Sequence, residues 1–370
     1  MRDRLARRLP PGLKRRLRPW YNRWRYRHAA RRNQEKARML SSQTIRWGIL
    51  STGSIAAEFA QGLSVLPDAH LAAVGSRSQD SADAFGARFG IPQRYDSYEA
   101  LATDPDVDVI YIGTPHPFHY ENTMLCLEAG KHVLCEKPFA LNAKQAEAMR
   151  AKAQERGLFL MEAMWMRFIP ATARALELVI AGEIGNVQMV RASFGFNPPY
   201  DPQSRLFDPA LGGGALLDIG VYPLTFANIF MGPFQTLTGV ATLGSTGVDE
   251  SLSLSARDHA GAVASLSASL RTYMANDAYI EGDAGRLRIH ANFWHSQHLT
   301  LTPQGGKPRE IPVPMDGNGY NYEAAEVMRC LRAGETESAT WPLDTTVNIM
   351  RQMDDLRAAW GVRYPGEDDA

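Results

Sequence analysis

Cysteine and long hydrophobic runs are scarce in this chain. Three of its 370 residues are cysteine, too few and too scattered for a disulfide framework or a zinc site, so we expect a reducing, cytoplasmic location and no resident metal. No uninterrupted apolar run reaches the ~18 residues of a membrane span, because Asp218 interrupts the most apolar stretch, 215–231. With 45% apolar and 22% charged residues, the composition excludes a collagen, a disordered chain and a coiled coil. The length is that of about two globular domains.

The formal net charge of zero hides an uneven distribution. The first 43 residues hold 15 lysines and arginines against two acidic residues, whereas the other 327 hold 25 basic and 38 acidic residues. One interpretation is a patch for nucleic acid or an anionic membrane. The other is a weakly ordered extension, or translated upstream sequence before Met39. No apolar stretch follows the arginines, which argues against a signal peptide or twin-arginine export. We give the segment no function and expect no nucleic-acid partner.

Strands and helices alternate from Thr44 to Met161. The predicted strands are 44–50, 71–75, 107–113, 132–135 and 158–161, and the predicted helices are 55–66, 78–89, 119–129 and 142–155. This order is typical of a Rossmann architecture, a doubly wound parallel sheet with helices on both faces.

After Pro170 the pattern changes. Helices are predicted at 171–181, 215–230, 322–332 and 343–360, and short strands at 187–196, 237–243, 251–256, 262–270, 278–281, 286–289 and 299–301. Short strands at regular spacing favour an open, mostly antiparallel sheet. The predicted fold class is therefore α/β, with an N-terminal Rossmann sheet and a C-terminal α+β domain.

A glycine turn lies between the first strand and the first helix. Its sequence, STGSIA from Ser51 to Ala56, is that of a dinucleotide-binding turn in which serine replaces the first glycine and alanine the third. Gly53 stands where the backbone must approach the pyrophosphate, and the following helix offers free N–H groups. A purely structural tight turn is the alternative. The predicted contacts are Ser51, Thr52, Gly53, Ser54 and Ile55.

The end of the second strand indicates which dinucleotide binds. NAD sites usually have a carboxylate there for the ribose 2′-hydroxyl, but this chain has Ser76, Arg77 and Ser78. An arginine can fork onto a 2′-phosphate, and serines can donate to it. We therefore predict NADP; Arg77 as a solvated surface residue is the alternative.

A histidine-containing loop follows the third strand. Its residues, from Gly113 to His119 (GTPHPFH), lie at the carboxyl edge of the sheet, where ligands bind. We expect Thr114 and Pro115 near the nicotinamide ribose. His116 and His119 are interpreted as polar packing around the dinucleotide, with a role as ligands or bases as the alternative.

Two further segments carry groups suited to chemistry. CEKP, from Cys135 to Pro138, ends a predicted strand and puts Lys137 at the ligand edge of the sheet. GGGALLDIGVY, at 212–222, contains glycines that let the backbone approach a ligand, and it spaces Asp218 and Tyr222 four residues apart on one helix face. A polar pair in an apolar helix is typical of a site. The alternative is a buried aspartate whose hydrogen bonds are all made within the protein, beside a tyrosine of the core.

Lys137 and Tyr222 suit the oxidation of an alcohol by a nicotinamide. That reaction needs a hydride acceptor and a base for the hydroxyl proton. A free phenol titrates near ~10, but an ammonium ~4 Å away, at an effective dielectric near ~20, contributes ~4 kcal/mol. This attraction is worth roughly three pKa units before desolvation is subtracted. Taken alone, the attraction would be enough to bring the pKa of Tyr222 near neutrality.

At these residues the chain resembles the glucose-fructose oxidoreductase / inositol dehydrogenase (Gfo/Idh/MocA) family. The likeness runs from Arg46 to Tyr364 and includes CEKP and GGGALLDIGVY. Within the family the chain most resembles the dimeric dihydrodiol dehydrogenases, also described as NADP-dependent D-xylose 1-dehydrogenases. The segments that carry this narrower likeness are WGILSTG (47–53), MLCLEAGKHVLCEKP (124–138), LFLMEAMWMRFIP (158–170) and YEA (322–324). Ser51 and Tyr222 differ from the glycine and histidine of many members but match this branch.

The resemblance implies roles, domains and an assembly. It implies that Lys137 tunes the pKa of Tyr222 and positions the reacting groups, that Tyr222 is the acid/base and that Asp218 orients the substrate. The implied cofactor contacts include Glu136, Lys137, Trp165 and Arg167, and the implied substrate contacts are Trp165, Arg167, Phe194, Asn197, Asp218 and Tyr222. Core packing is the alternative for Trp165 and Phe194. After the extension 1–43, the implied domains are an NADP-binding domain at 44–165 and a substrate-binding and dimerisation domain at 166–370, which forms a homodimer through its open sheet.

Three functions remain open at this point. The first is an NADP-dependent dehydrogenase of a cyclic polyol, either an aldopyranose such as D-xylose, oxidised at C1, or a trans-dihydrodiol. The second is a sugar reductase or oxidoreductase with tightly bound NADP(H). The third is a non-catalytic NADP-sensing regulator. The presence of both Lys137 and Tyr222 argues against the third, which only the basic extension supports.

Overall fold

Six short strands form a parallel sheet in the first part of the chain. The computed structural model describes residues 44–367, so the extension predicted at 1–43 lies outside the described residues. The strands are β1 Ile45–Leu50, β2 Ala69–Gly75, β3 Gln93–Tyr95, β4 Val109–Ile112, β5 His132–Glu136 and β6 Leu160–Ala163. Their order is β3-β2-β1-β4-β5-β6, with every pair parallel. The order reverses at β1, so the ligand crevice is expected at the carboxyl ends of β1 and β4.

The helices that connect these strands have clear start and stop signals. They are α1 Ser54–Leu63, α2 Gln79–Phe89, α3 Tyr98–Thr103, α4 His119–Glu128 and α5 Ala143–Arg156. Asn142 accepts a hydrogen bond from the backbone N–H of Gln145 at the start of α5, and Gly157, at φ 63°, follows its last residue. Ser78 and Gly90 occupy the same positions around α2. Such residues satisfy the backbone groups that a helix end leaves without partners.

The second part of the chain folds around an eight-stranded sheet. Its strands are β7 Val187–Gly195, β8 Phe234–Leu243, β9 Asp249–Asp258, β10 Val263–Ser269, β11 Ala278–Gly282, β12 Gly285–Ile289, β13 His298–Pro303 and β14 Arg309–Pro312. The order is β14-β13-β12-β11-β7-β10-β9-β8, and all neighbours are antiparallel except β7 and β10. The remaining helices are α6 Pro170–Ile180, α7 Val221–Met231, α8 Tyr320–Ala333 and α9 Leu343–Trp360.

This sheet has one apolar and one polar face. Along β9, Leu252 and Leu254 are buried whereas Ser253 between them is exposed. The sheet packs against α6 and α7, which cover its apolar side. The polar side carries serines and threonines together with the exposed Val240 and Val263. Alternation of this kind is expected of an antiparallel sheet with one covered face.

The predicted fold class is confirmed, with local differences. The structure adds β3, α3 and β14, which are too short to leave a periodic pattern. The predicted helix 215–230 consists of a π-helical segment, Leu216–Gly220, followed by α7. By length and composition the stretch Pro209–Met231 would suffice to cross a membrane, but 89% of its most apolar window is buried inside the protein. It is a core element of the second part of the chain.

Candidate active site

The turn after β1 leaves open space at the start of a helix. Ser51 adopts φ 108°, a conformation in which glycine is usual, and its Oγ donates to the carbonyl oxygen of Gly113 at 2.8 Å. A Cβ built at Gly53 would meet only the Ser51 Oγ, 3.8 Å away. Thr52 to Ile55 are at least partly exposed, and a helix start leaves its first backbone N–H groups available to an anion. The turn is therefore accessible to a phosphate-bearing ligand.

Alanine stands at the third glycine position of this turn and packs near Gly113. Ala56 is fully buried. A Cβ built at Gly113, just after β4, would lie 3.6 Å from the Cβ of Ala56 and 3.3 Å from Cγ2 of Ile55. A Cβ at Gly113 would thus meet Ile55 more tightly than Ala56, so the absence of a side chain at Gly113 leaves room for the start of α1.

The three residues predicted to recognise a 2′-phosphate follow β2. Ser76 is buried, with its Oγ 3.4 Å from Oγ1 of Thr52, and Arg77 is exposed. Ser78 instead caps α2, because its Oγ accepts the Ser81 backbone N–H and donates to the Ser81 hydroxyl. The helix thus uses much of the hydrogen-bonding capacity of Ser78, and Arg77 presents the charge at this edge.

His119 connects the loop after β4 to the loop after β5. Its two ring nitrogens each lie 2.8 Å from a carbonyl oxygen, one of Pro138 and one of Thr114. The Lys137–Pro138 peptide bond is cis. Burial lowers the pKa of His119 to about 4, although both carbonyls raise it. Its contacts are those of a packing residue that fixes Thr114 and Pro115 at the sheet edge.

His116 is also buried and lies beside Asp218. Its Nδ1 is 3.2 Å from the carbonyl oxygen of Gly212, and its Nε2 is 3.9 Å from Oδ1 of Asp218. Burial lowers the pKa of His116 to about 3 although Asp218 raises it, so the imidazole is neutral at neutral pH. The sequence predicted that the neighbouring glycines let the backbone approach a ligand, but in the structure they pack against protein. A Cβ at Gly212 would lie 3.0 Å from the His116 Cβ, and one at Gly214 would lie 2.6 Å from Oδ1 of Asp249.

Lys137, Asp218 and Tyr222 come together in the structure. Lys137 follows β5, and its Nζ donates to the carbonyl oxygen of Asp218 at 2.9 Å and lies 3.6 Å from Oδ1 of the same residue. The same Nζ is 4.9 Å from the centroid of the Tyr222 ring. An ammonium, a carboxylate and a phenol therefore share one largely buried space at the carboxyl edge of the parallel sheet.

The pKa of Tyr222 does not follow the expectation drawn from Lys137. Burial raises this pKa, Lys137 and a hydrogen bond from Trp165 lower it, and the net pKa lies above its ordinary value. Burial therefore outweighs the attraction of the ammonium, and the pKa of Tyr222 does not reach neutrality in this state. Burial lowers the pKa of Lys137, but the facing acidic groups raise it above its ordinary value. The resting pair is a charged lysine and a neutral tyrosine.

Arg205 is a second cation at the site and was not found from the sequence. Its Nη1 donates to Oδ1 of Asp218 at 2.8 Å. Burial favours the protonated carboxyl, yet Lys137 and Arg205 hold the pKa of Asp218 well below its usual range. Arg205 lies in the irregular segment between β7 and the π-helical segment, where no periodicity or motif marks it.

Aromatic rings surround the phenol. Trp165 donates its indole N–H to the Tyr222 oxygen at 2.9 Å and stacks on Tyr320 with ring centroids 4.5 Å apart. Phe194 stacks on Trp294 at 3.6 Å and lies 5.5 Å from the Tyr222 ring. Trp294 and Tyr320 were not predicted, because each is a single aromatic residue whose partner is distant in sequence.

The other predicted contacts stay predictions. Glu136 is buried and accepts hydrogen bonds from the Tyr111 hydroxyl at 2.6 Å and from the Lys137 backbone N–H at 3.1 Å. Arg167 ends the short 3₁₀ turn Trp165–Arg167, and Asn197 is exposed just after β7.

Comparison with known proteins finds matches over most of the described chain. Residues 45–164 match the oxidoreductase family with an NAD-binding Rossmann fold, and residues 172–288 match the GFO/IDH/MocA C-terminal domain. The trans-1,2-dihydrobenzene-1,2-diol dehydrogenase of Mus musculus is 38% identical over 333 residues, covering 87% of this chain and 98% of the relative. The enzyme of that name from Homo sapiens is 37% identical with the same coverage.

Solved structures share the fold. KijD10, a 3-ketoreductase from Actinomadura kijaniata in complex with NADP and TDP-benzene, superposes with a TM-score of 0.76 at 28% identity, over 85% of this chain and 98% of that one. The aldose-aldose oxidoreductase from Caulobacter crescentus, complexed with glycerol, superposes with a TM-score of 0.79 at 26% identity, over 86% and 98%.

Proposed function

Because the chain belongs to the Gfo/Idh/MocA oxidoreductase family, we propose that it is an NADP-dependent dehydrogenase of a cyclic polyol. The substrate is an aldopyranose such as D-xylose, oxidised at C1, or a trans-dihydrodiol. The observation that carries the proposal is the convergence of the Lys137 ammonium and the Tyr222 phenol at the carboxyl edge of the parallel sheet.

The residues at this edge fit NADP. Gly53 leaves open space at the start of α1, where the pyrophosphate of a dinucleotide binds. The end of β2 offers the exposed Arg77 and no carboxylate, which suits a 2′-phosphate better than a 2′-hydroxyl. The residues that would hold the cofactor are those of 51–55, 76–78, 114–116, 119 and 136–137, with Trp165 and Arg167. When bound, NADP supplies the hydride acceptor or donor.

Tyr222 moves the proton in this proposal. In oxidation the phenolate form of Tyr222, which exists once the phenol has released its proton to solvent, takes the proton of the substrate hydroxyl, and in reduction the neutral phenol gives its proton to the carbonyl oxygen. The Lys137 ammonium and the Trp165 indole N–H stabilise the charged form of the phenol. Because burial raises the pKa of Tyr222, the resting phenol is protonated and ready to act as an acid.

The surroundings of the phenol support a ring with a hydroxyl edge and an apolar face. Asp218 presents a charged carboxylate that can accept hydrogen bonds from substrate hydroxyls, and in this proposal Arg167 and Asn197 also contact the substrate. The stacked pair of Phe194 and Trp294 offers a flat surface for C–H groups. Both a pyranose and a cyclic diol divide their surface in this way.

An NADP⁺ reduction screen tests the proposal. The purified chain is offered aldoses and trans-dihydrodiols with NADP⁺ or NAD⁺, beside the variants Lys137→Met and Tyr222→Phe. We expect turnover of at least one cyclic polyol and a preference for NADP⁺. Both variants should lose ~10²-fold or more in kcat while NADPH binding, followed by fluorescence, persists. A Tyr222→Phe variant near the wild-type rate would contradict the assignment of the acid/base.

The same screen separates the alternatives. Tight co-purification of NADP(H), with turnover only when one sugar is oxidised and another reduced, would favour an oxidoreductase with bound cofactor. NADPH binding without turnover of any substrate would favour a sensing regulator. The basic extension that supports the regulator lies outside the described residues.

We also propose that residues 44–165 bind the cofactor and that residues 166–370 bind the substrate. The chain forms a homodimer through the polar face of the eight-stranded sheet. The exposed Val240 and Val263 on that face support the dimer, and three free, buried cysteines suit a cytoplasmic location. A double variant, Val240→Arg with Val263→Arg, should sediment as a monomer. Val65→Arg, at another exposed valine, should not change the sedimentation coefficient. A double variant that sediments like the wild type would contradict this interface.

A further inference from the structure

Two histidines and a glutamate form a cluster on the polar face of the eight-stranded sheet, on β12 to β14, at the end of the strand order away from β8 and β10, which carry Val240 and Val263 of the proposed dimer interface. His290 follows β12, His298 begins β13 and Glu310 lies in β14. One ligand atom of each lies within 4.8 Å of the other two. Oε2 of Glu310 is 3.1 Å from Nε2 of His298 and 3.8 Å from Nε2 of His290, and the imidazole rings stack with centroids 4.6 Å apart. We propose that these three side chains bind one divalent transition-metal ion, Zn²⁺ being the representative case.

The register of the sheet holds the three side chains together. The backbone N–H of His290 donates to the carbonyl oxygen of His298 at 3.1 Å, which sets the two histidines side by side on neighbouring strands. Glu310 pairs with Thr300, two residues after His298, so it projects from the same face. Leu299, between His298 and Thr300, is fully buried on the other face of the sheet. The cluster is therefore fixed by backbone pairing rather than by flexible loops.

The donor set and its spacing suit zinc. Two imidazoles and one carboxylate leave one coordination position for water, as in sites that keep an open position. Ligand atoms around a tetrahedral zinc lie roughly 3.3–3.5 Å apart, close to the two separations measured to Glu310. The Thr300 hydroxyl is 2.7 Å from Nε2 of His290 and donates to Oε2 of Glu310 at 2.8 Å. Both of these are proposed ligand atoms, so a metal ion at this position would replace the two hydrogen bonds made by Thr300.

The surrounding charges permit a cation here. Arg288 lies in β12, two residues before His290, but its guanidinium pairs with Asp277 at 3.0 Å. Glu310 supplies the negative charge. The three cysteines of the chain are buried and do not offer a competing surface site.

Calorimetric titration of the tag-free, full-length chain with Zn²⁺ tests the proposal. We expect one Zn²⁺ per chain and at least ~10-fold weaker binding for His298→Ala and for Glu310→Gln. His259→Ala, at an exposed histidine outside the cluster, should bind zinc like the wild type. The cluster lies on the face of the sheet opposite α7, which carries Tyr222, so dehydrogenase activity should be unchanged in both cluster variants. This readout separates the metal site from the proposed catalytic function.

Two outcomes would overturn the proposal. One is the absence of zinc binding by the wild-type chain. The other is equal zinc affinity in the wild type and in both cluster variants. Circular dichroism verifies that each variant is folded, and if His298→Ala fails to fold, the exposed Glu310→Gln decides the question alone.

Discussion

Trp165 donates its indole N–H to the phenolic oxygen of Tyr222 at 2.9 Å. The two residues come from different halves of the fold, since Trp165 follows β6 of the parallel sheet and Tyr222 lies in α7. This hydrogen bond lowers the pKa of Tyr222 against the larger effect of burial. A fixed donor stabilises the phenolate more than the phenol, because hydrogen bonds to charged groups are stronger.

Trp165→Phe should therefore raise the pKa of Tyr222 further and slow alcohol oxidation. Hydrogen bonds to charged groups contribute ~1.5–3 kcal/mol, so the pH of half-maximal oxidation should rise by about one unit or more. The rate at neutral pH should fall ~10-fold. Steady-state kinetics across pH measure both effects. Trp360→Phe, which removes an indole hydrogen bond to the Gly239 carbonyl oxygen, is the matched control, and an unshifted profile in Trp165→Phe would leave Trp165 with packing alone.

Arg205→Met should raise KM for the polyol more than it changes kcat. The variant keeps side-chain length but removes the guanidinium that donates to Oδ1 of Asp218, so the carboxylate loses one of the two groups that orient it. Lys137 remains in place. We expect KM to rise ~10-fold, in line with one charge-assisted hydrogen bond. Arg174→Met, which removes an exposed helical ion pair with Glu177, should leave both constants unchanged, and a lower KM in Arg205→Met would mean that Arg205 competes with substrate.

Elements with a regular pattern could be predicted from sequence, and very short ones could not. The strand predicted at 44–50 is Ile45–Leu50, and the helix predicted at 343–360 is Leu343–Trp360, because burial on one or both faces imposes a period on the sequence. β3 and β14 have three and four residues. Such strands depend on hydrogen bonds to neighbours that are distant in sequence, so no local pattern marks them.

The candidate site divides in the same way. Lys137 follows a strand and Tyr222 lies in an apolar helix, and both segments can be recognised from the sequence. Arg205 and Trp294 reach the site from irregular segments and are held there by tertiary contacts. The net pKa of Tyr222 could not be predicted, because an attraction can be calculated from two residue types, whereas burial depends on the whole fold. The His290, His298 and Glu310 cluster likewise depends on strand register.

Arg77→Ala should weaken the binding of NADP⁺ without affecting the binding of NAD⁺. Only NADP carries the 2′-phosphate, and a charged hydrogen bond of ~1.5–3 kcal/mol corresponds to ~10–100-fold in KM for NADP⁺. The ratio of the KM values for the two cofactors measures the effect. Arg88→Ala, an exposed arginine in the last turn of α2, is the control. Equal losses for both cofactors would show that Arg77 does not read the phosphate.

Replacing Ser51 by glycine should lower the free energy of unfolding less than replacing it by alanine. Ser51→Ala keeps a side chain at φ 108° and loses the hydrogen bond to the Gly113 carbonyl oxygen, which should lower the free energy of unfolding by about 1 kcal/mol. Ser51→Gly loses the same bond but relieves about 1–2 kcal/mol of backbone strain, so its stability should be close to that of the wild type. Urea denaturation distinguishes the two variants, and equal destabilisation would mean that this backbone conformation carries no strain.

Asp249 is a buried carboxyl whose ionisation should reduce stability as pH rises. Its Oδ2 accepts the backbone N–H of Leu216 at 2.6 Å, where the π-helical segment begins, and burial raises its pKa from 3.8 to about 7. Between these two values the folded chain holds a proton that the unfolded chain has lost. The contribution of Asp249 to the free energy of unfolding should therefore fall as pH rises from about 4 to 7 and stay low above it.

Asp249→Asn cannot ionise and retains an acceptor for the Leu216 N–H, so it should remove this loss. We expect the variant to match the wild type near pH 4 and to exceed it by about 1–3 kcal/mol near pH 8, measured by urea denaturation at both values. Asp201→Asn, at an exposed aspartate, should show no such pH-dependent gain. A stability difference between Asp249→Asn and wild type that stays constant across this range would mean that the folded and unfolded chains release the Asp249 proton at the same pH.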